Sequence, residues 1–168
     1  MNVLVMGATE HMGSALLANT LLILAIMSAG VVYGVDVFFA VVGRSALAAS
    51  DDGAIANVMG HIHKTADARI PLFGVLGVLA TLAFAIVAHL GTIASWLALM
   101  ALAGLLTQLS LYLTVAKPVN QKMTEAVQLG NIPDNIRDLQ NCWDSVIVGR
   151  ALAMTFAIGF LIVAGVLS

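Results

Sequence analysis

Seven polar residues of this chain have the types and placement to do chemistry together. His63 and Asp67 stand four residues apart, so a helix puts them on one face. An imidazole or carboxylate sheltered there is a candidate general base. Asp36 interrupts a long apolar run, and an acid inside a hydrophobic span is costly enough to imply a role. Arg150 lies one to two turns into another apolar run. Unpaired, it would cost several kcal/mol, so it needs a carboxylate or a ligand anion. Asp36, about two turns from the corresponding end of its own run, is the expected partner. Arg69, Asn120 and Asp144 map to the same end of the apolar segments. An arginine or asparagine beside a base could hold an enolate or oxyanion. Together these residues predict a polar pocket, with apolar space behind it for a hydrophobic aromatic or lipid-like substrate.

Other chemistries lack their residues. There is no H-E-x-x-H, no G-x-S-x-G, no Walker loop and no dinucleotide glycine pattern. The single cysteine, Cys142, excludes an internal disulfide and a cysteine-held iron–sulfur cluster. A metal would have to gather His63, Asp67 and Asp36 or Asp144 from separate helices. His61 and His63 lie about 200° apart on a helix and cannot share one ion. His11 and His89 fall at the other end of the apolar runs, a weak pattern for metal or haem. No cofactor is predicted. The net charge of −2 excludes a nucleic-acid binder on electrostatic grounds.

The elements that must carry these residues are membrane helices. Of the 168 residues, 61% are hydrophobic and 10% charged, with mean hydropathy +1.02. A soluble domain carries about 25% charged residues. There is too little polar surface here to face water, so the solvent must be lipid. Four spans are predicted, at about residues 14–43, 70–90, 95–116 and 146–167. They form an all-α, integral membrane four-helix bundle with short amphipathic surface helices, a single domain over residues 1–168. The N-terminus lacks the basic region of a signal peptide, so the first apolar run is expected to remain as a span.

Within the first span, Ala25, Ala29, Val32, Tyr33, Asp36, Ala40 and Gly43 share a face of mostly small residues, which marks helix contact in lipid. Asp36 should therefore point into the bundle. Ser50-Asp51-Asp52 reads as a helix start. The helix behind it carries Ile55, Val58, Met59, Ile62 and Ala66 at helical spacing, with Arg69 on the same stripe as Val58 and Ile62. It either ends before Pro71 or runs on through it. Gly104, Gln108 and Tyr112 form a packing stripe, with Gln108 hydrogen-bonded across the bundle. Pro118 ends or bends the third span, Val119 to Leu129 is a surface helix, and Gly130 is a C-cap. Pro133 starts another helix, on which Ile136, Leu139, Trp143, Ile147 and Arg150 share a face.

All seven Lys and Arg residues lie at the end of loops 44–69 and 117–145. The positive-inside rule puts those loops in the cytoplasm and both termini outside.

The runs KPVNQKMTEA (Lys117 to Ala126) and WDSVIVGR (Trp143 to Arg150) resemble the C-terminal half of a family of small four-span membrane proteins. That family includes the fungal anthrone oxygenases and many bacterial members of unassigned function. Its pattern matches here as Pro118, Asn120, Trp143 and Arg150. VFFAVVGRSAL and HKTADARIP (His63 to Pro71) are similar to bacterial members. The resemblance implies a bacterial inner-membrane location and oxygenation of an activated aromatic carbon without a redox cofactor. His63, Asp67 or Asp36 would act as base. Arg69, Asn120, Trp143, Asp144 and Arg150 would bind the substrate. The alternative is a non-enzymatic subunit of a larger membrane complex, with partner spans in place of a substrate. A proton-linked carrier is less favoured, because four spans without a repeat would have to oligomerise. The expected partners are thus a hydrophobic small molecule or lipid, the membrane itself, and further copies or a larger complex.

Overall fold

The computed structural model describes the backbone of residues 2–168 and the side chains of residues 12–168. The chain is all helix and turn in this range. Helix α1 spans Asn2–Phe38 and passes through a π-helical turn, Phe39–Gly43, into the short α2, Arg44–Ala48. Helix α3 is Asp52–Val87, α4 is Ile93–Leu111, α5 is Lys117–Gln128 and α6 is Ile136–Val166. A second π turn, Tyr112–Ala116, joins α4 to α5 without a break. Four stretches, Met12–Ala48, Asp52–Val87, Ile93–Gln128 and Ile136–Val166, are each long and apolar enough to cross a membrane. They form a four-helix bundle, and its flanks expose Leu16, Ile23, Met27, Leu79 and Phe156. So much exposed apolar surface suits lipid and not water.

The expected surface helices are extensions of the spans. Helix α3 runs straight through Pro71. The proline removes the donor that would otherwise reach the Asp67 carbonyl. The start of α3 is set by Asp51 and not Ser50: the Asp51 carboxylate accepts from the Ala54 amide at 2.8 Å. Pro118 does not end the third span. It sits in the first turn of α5, just after the π turn, where the Lys117 amide reaches back to the Tyr112 carbonyl. The bonding pattern changes at that point, so the missing proline donor is absorbed there. Gly130 does cap α5. Its φ is +64°, its amide bonds the Val127 carbonyl, and the Asn131 amide bonds the Ala126 carbonyl, as in a Schellman motif. Pro133 is not the first helical residue. It accepts from the Ile136 amide in a turn, and α6 begins at Ile136.

At the α3–α4 end, Thr92 caps α4 by accepting from the Ser95 amide at 3.2 Å. The Ser95 hydroxyl donates to the Ala85 carbonyl at 2.8 Å, which fastens α4 to α3. His89 sits exposed in this turn with φ +62°. The side chain of His11 lies outside the described residues.

Two apolar cores form inside the bundle. One holds Ala25, Ala29, Phe84, Ala98, Met154 and Leu161. The other holds Phe39, Met59, Met123, Ile136, Trp143 and Ile147. Along each of the four spans the two cores are separated by a polar interval: Asp36 on α1, His63 and Asp67 on α3, Gln108 on α4 and Arg150 on α6. Close packing fixes the helices on either side of this layer. A Cβ on Gly104 would lie 2.8 Å from the Ala153 carbonyl of α6, and one on Gly60 would lie 2.8 Å from the Met123 carbonyl of α5. Small residues at those two positions are what let the backbones approach.

Candidate functional site

Asp36 and Arg150 meet at the centre of the polar layer. The Arg150 Nη2 donates to Asp36 Oδ1 at 2.7 Å, and the Asp36 side chain is fully buried. Gln108 Nε2 donates to the other carboxylate oxygen at 3.1 Å. One acid thus satisfies donors from two other helices. The pairing and the cross-bundle bond of Gln108 both follow the sequence reading. Burying the pair removes two charges from a medium that would not solvate them singly.

The Arg150 guanidinium lies over two aromatic rings, 5.6 Å from the Tyr112 centroid and 5.9 Å from that of Trp143. Both distances fall within cation–π range. Trp143 in turn packs against His63, with ring centroids 5.5 Å apart, and against Phe39 at 5.2 Å. This chain of rings spans α3, α6 and the π turns after α1 and α4.

Asp67 is a second hub. Its Oδ1 accepts from Asn120 Nδ2 at 2.8 Å and from the Tyr112 hydroxyl at 3.0 Å. With these donors in place, Asp67 acts as an anchor for Tyr112 and Asn120. His63 differs. It is 3% exposed, and its Nε2 has no hydrogen-bond partner. The same holds for Asn120 Oδ1, Trp143 Nε1 and Arg150 Nε. Leaving such groups buried and unpaired costs about 1–3 kcal/mol each.

These groups line a cavity of about 870 Å³ bounded by all four spans. His63, Asp67, Asn120, Trp143 and Arg150 are in its wall, and so are Gln108 and Tyr112. Asp36 is not. It stands directly behind Arg150. Most of the remaining wall is apolar, from Ala29, Val32, Ile70, Val78, Leu105 and Met154.

Two of the sequence-predicted site residues lie elsewhere. Arg69 is exposed and does not line the cavity. The stripe it shares with Val58 and Ile62 faces outward, since Val58 is 50% and Ile62 36% exposed. The buried stripe of α3 runs instead through Ile55, Met59, Gly60 and His63. Asp144 is half-buried and accepts from Gln140 on its own helix at 2.9 Å, away from the cavity.

Tyr112 was read from the sequence as packing only. Its place one turn beyond Gln108 was the available signal that it could join the same layer. His61 is exposed while His63 is buried, as their angular separation requires. Among the described residues, no cluster of three or more His, Cys, Asp or Glu is arranged to hold a metal ion.

The cavity can therefore take a largely apolar ligand, with His63, Trp143, Asn120 and Arg150 in the wall at its polar end. No protein-family model matches this chain, and no curated protein or solved structure is significantly similar to it.

Proposed function

We propose that this chain is a membrane enzyme that removes a proton from the ring methylene of a hydrophobic aromatic substrate of the anthrone type and lets the carbanion react with dioxygen. One observation carries the reading. Four residues that carry buried polar atoms without partners, His63, Trp143, Asn120 and Arg150, stand together in the wall of a mostly apolar cavity. A native interior leaves few such atoms, and a cluster of them in a cavity calls for a ligand.

His63 is the base. A neutral imidazole with a vacant nitrogen can take a proton from the ring methylene, while the Arg150 guanidinium and the Trp143 N–H hold the enolate oxygen. The carbanion bonds to one oxygen atom of dioxygen, which is reduced to a carbon-bound peroxide and protonated. Loss of the second ring hydrogen as a proton then breaks the O–O bond and expels hydroxide. The net change is CH₂ plus O₂ to C=O plus H₂O, so the substrate and dioxygen supply all the electrons. Asp67 positions Asn120 and Tyr112, and Asp36 positions Arg150. The site lies toward the cytoplasmic face of a bacterial inner membrane, with loops 44–69 and 117–145 inside, as the distribution of Lys and Arg favours.

Oxygen uptake by the purified protein with a panel of anthrones and hydroquinones tests this. His63→Phe keeps the ring packing on Trp143 and removes the base. It should lower kcat by about 10²–10⁴-fold. Full activity in that variant, or no uptake above background with any substrate, overturns the reading.

The second reading, a structural subunit, is favoured by the mutual closure of Asp36, Gln108 and Arg150. Native mass spectrometry in mild detergent separates the two. A subunit leaves with larger partners, and an enzyme leaves as itself with small molecules bound.

A further inference from the structure

Resting on that assignment of the cavity, we infer that the substrate is a ring-headed lipid: an aromatic head on the His63–Arg150 cluster, with an alkyl or isoprenoid tail that leaves the protein sideways between α3 and α4.

Three observations lead there. The first is polarity. The polar wall groups are gathered toward the α5 end of the cavity: His63, Asp67, Tyr112, Asn120 and Arg150, with Lys64, Lys117, Gln121, Thr124 and Glu125 at the same end and Gln108 one turn before Tyr112. Toward the α3–α4 turn the wall is Gly74, Val75, Val78, Leu79 and Leu105. A ligand matching this gradient is polar at one end and apolar along the rest.

The second is length. The lining follows α3 from Ile62 to Leu79. Those two residues are seventeen steps apart, about 26 Å at 1.5 Å per step. The volume of about 870 Å³ is near the top of the roughly 300–1,000 Å³ range for ligand sites. A bare two- or three-ring molecule would leave the apolar reach empty.

The third is a side opening. Val75, Leu79 and Leu113 line the cavity and are also 54%, 56% and 48% exposed. A Cβ placed on Gly74 would meet nothing within 4 Å. Helix α3 is clamped to α4 at Ala85–Ser95 and to α5 at Gly60, so the gap lies between two fixed ends. The surface around this gap is apolar, and the surroundings of an apolar flank of this kind are lipid tails. A tailed substrate can therefore reach the site without leaving the bilayer.

The test uses a quinone carrying an isoprenoid tail with a terminal diazirine, on the full chain in phospholipid nanodiscs. After irradiation, labels should map to residues 70–79 and 105–113. Excess unlabelled tailed quinone should remove at least tenfold of that labelling. Gly74→Trp, which fills the gap, should abolish it. Val75→Trp, at a position 54% exposed, should reduce it at least fivefold.

Labels spread over lipid-facing positions such as Phe156 and Ile162, and unaffected by competitor, would overturn the inference. A separate arm measures quenching of Trp143 fluorescence by a tailless quinone in a Trp96→Phe background. Quenching there together with dispersed tail labels sinks only the tailed-lipid assignment. No quenching by either probe sinks the assignment of the cavity as well.

Discussion

Removing one member of the Asp36–Arg150 pair should be far more damaging than removing both. Asp36→Leu leaves Arg150 with its 2.7 Å partner gone, in a site where its side chain is 8% exposed. Stranding a buried charge this way costs about 3–5 kcal/mol. Arg150→Met strands the fully buried carboxylate, with only the 3.1 Å bond from Gln108 left, and should cost a similar amount. Replacing both by apolar groups of similar size removes the attraction and the desolvation penalty together, and such swaps are often neutral or stabilising. The double variant should therefore lie within about 1 kcal/mol of the parent, although both single variants lose about 3–5 kcal/mol. The coupling between the sites should accordingly reach several kcal/mol, well above the roughly 0.5–3 kcal/mol of ordinary contacting pairs. In an equilibrium constant, 3–5 kcal/mol is a factor of roughly 10² to 10³·⁵. Reversible unfolding in mixed micelles by SDS titration, followed by tryptophan fluorescence, supplies the four free energies of the cycle. If both single variants unfold within about 1 kcal/mol of the parent, the pair does not hold the polar layer together, and the positioning role given to Asp36 fails with it.

Two further outcomes follow from the packing and from the Asp67 hub. Gly60→Ala should cost about 1–3 kcal/mol in the same titration, because the new Cβ would lie 2.7 Å from the Val127 Cβ and 2.8 Å from a backbone carbonyl. Gly34→Ala, with nothing within 4 Å, should be neutral or gain up to about 1 kcal/mol, so equal effects at the two sites would contradict this account of the α3–α5 contact. Tyr112→Phe deletes one of the two bonds to Asp67 and should cost about 1 kcal/mol while lowering kcat, with KM little changed. A change in KM alone would assign Tyr112 to substrate binding and not to the positioning of Asp67.

Composition and residue spacing were enough to give the bundle and the level of its polar layer. Apolar runs of this length have one stable arrangement in lipid, which is helices with every backbone group satisfied internally. An acid and an arginine inside such runs have few ways to avoid hydrocarbon, so Asp36 and Arg150 could be paired before any coordinates were known. Trp143, Ile147 and Arg150 could likewise be placed on one inward face, because helix α6 begins in a polar segment where inside and outside differ in composition.

Which polar groups are tied and which are open depends on how the helices pack. Where a helix is apolar all round, periodicity names a face without saying which way it turns. Arg69, on the stripe with Val58 and Ile62, was therefore placed among the site residues, although that stripe is exposed. The π turns at Phe39–Gly43 and Tyr112–Ala116 shift the helical phase where the site is built, so counting by 3.6 residues fails across them. Tyr112 begins one of these turns, and its hydroxyl, with the Asn120 amide, takes up Asp67, while His63 Nε2 stays without a partner. Asp144 found Gln140 one turn away on its own helix, a local bond that competes with any reach toward the bundle centre. The cavity is the space left by four helices held apart at one level and clamped at Gly60, Ser95 and Gly104, and such a gap is a property of their packing, written in no single segment.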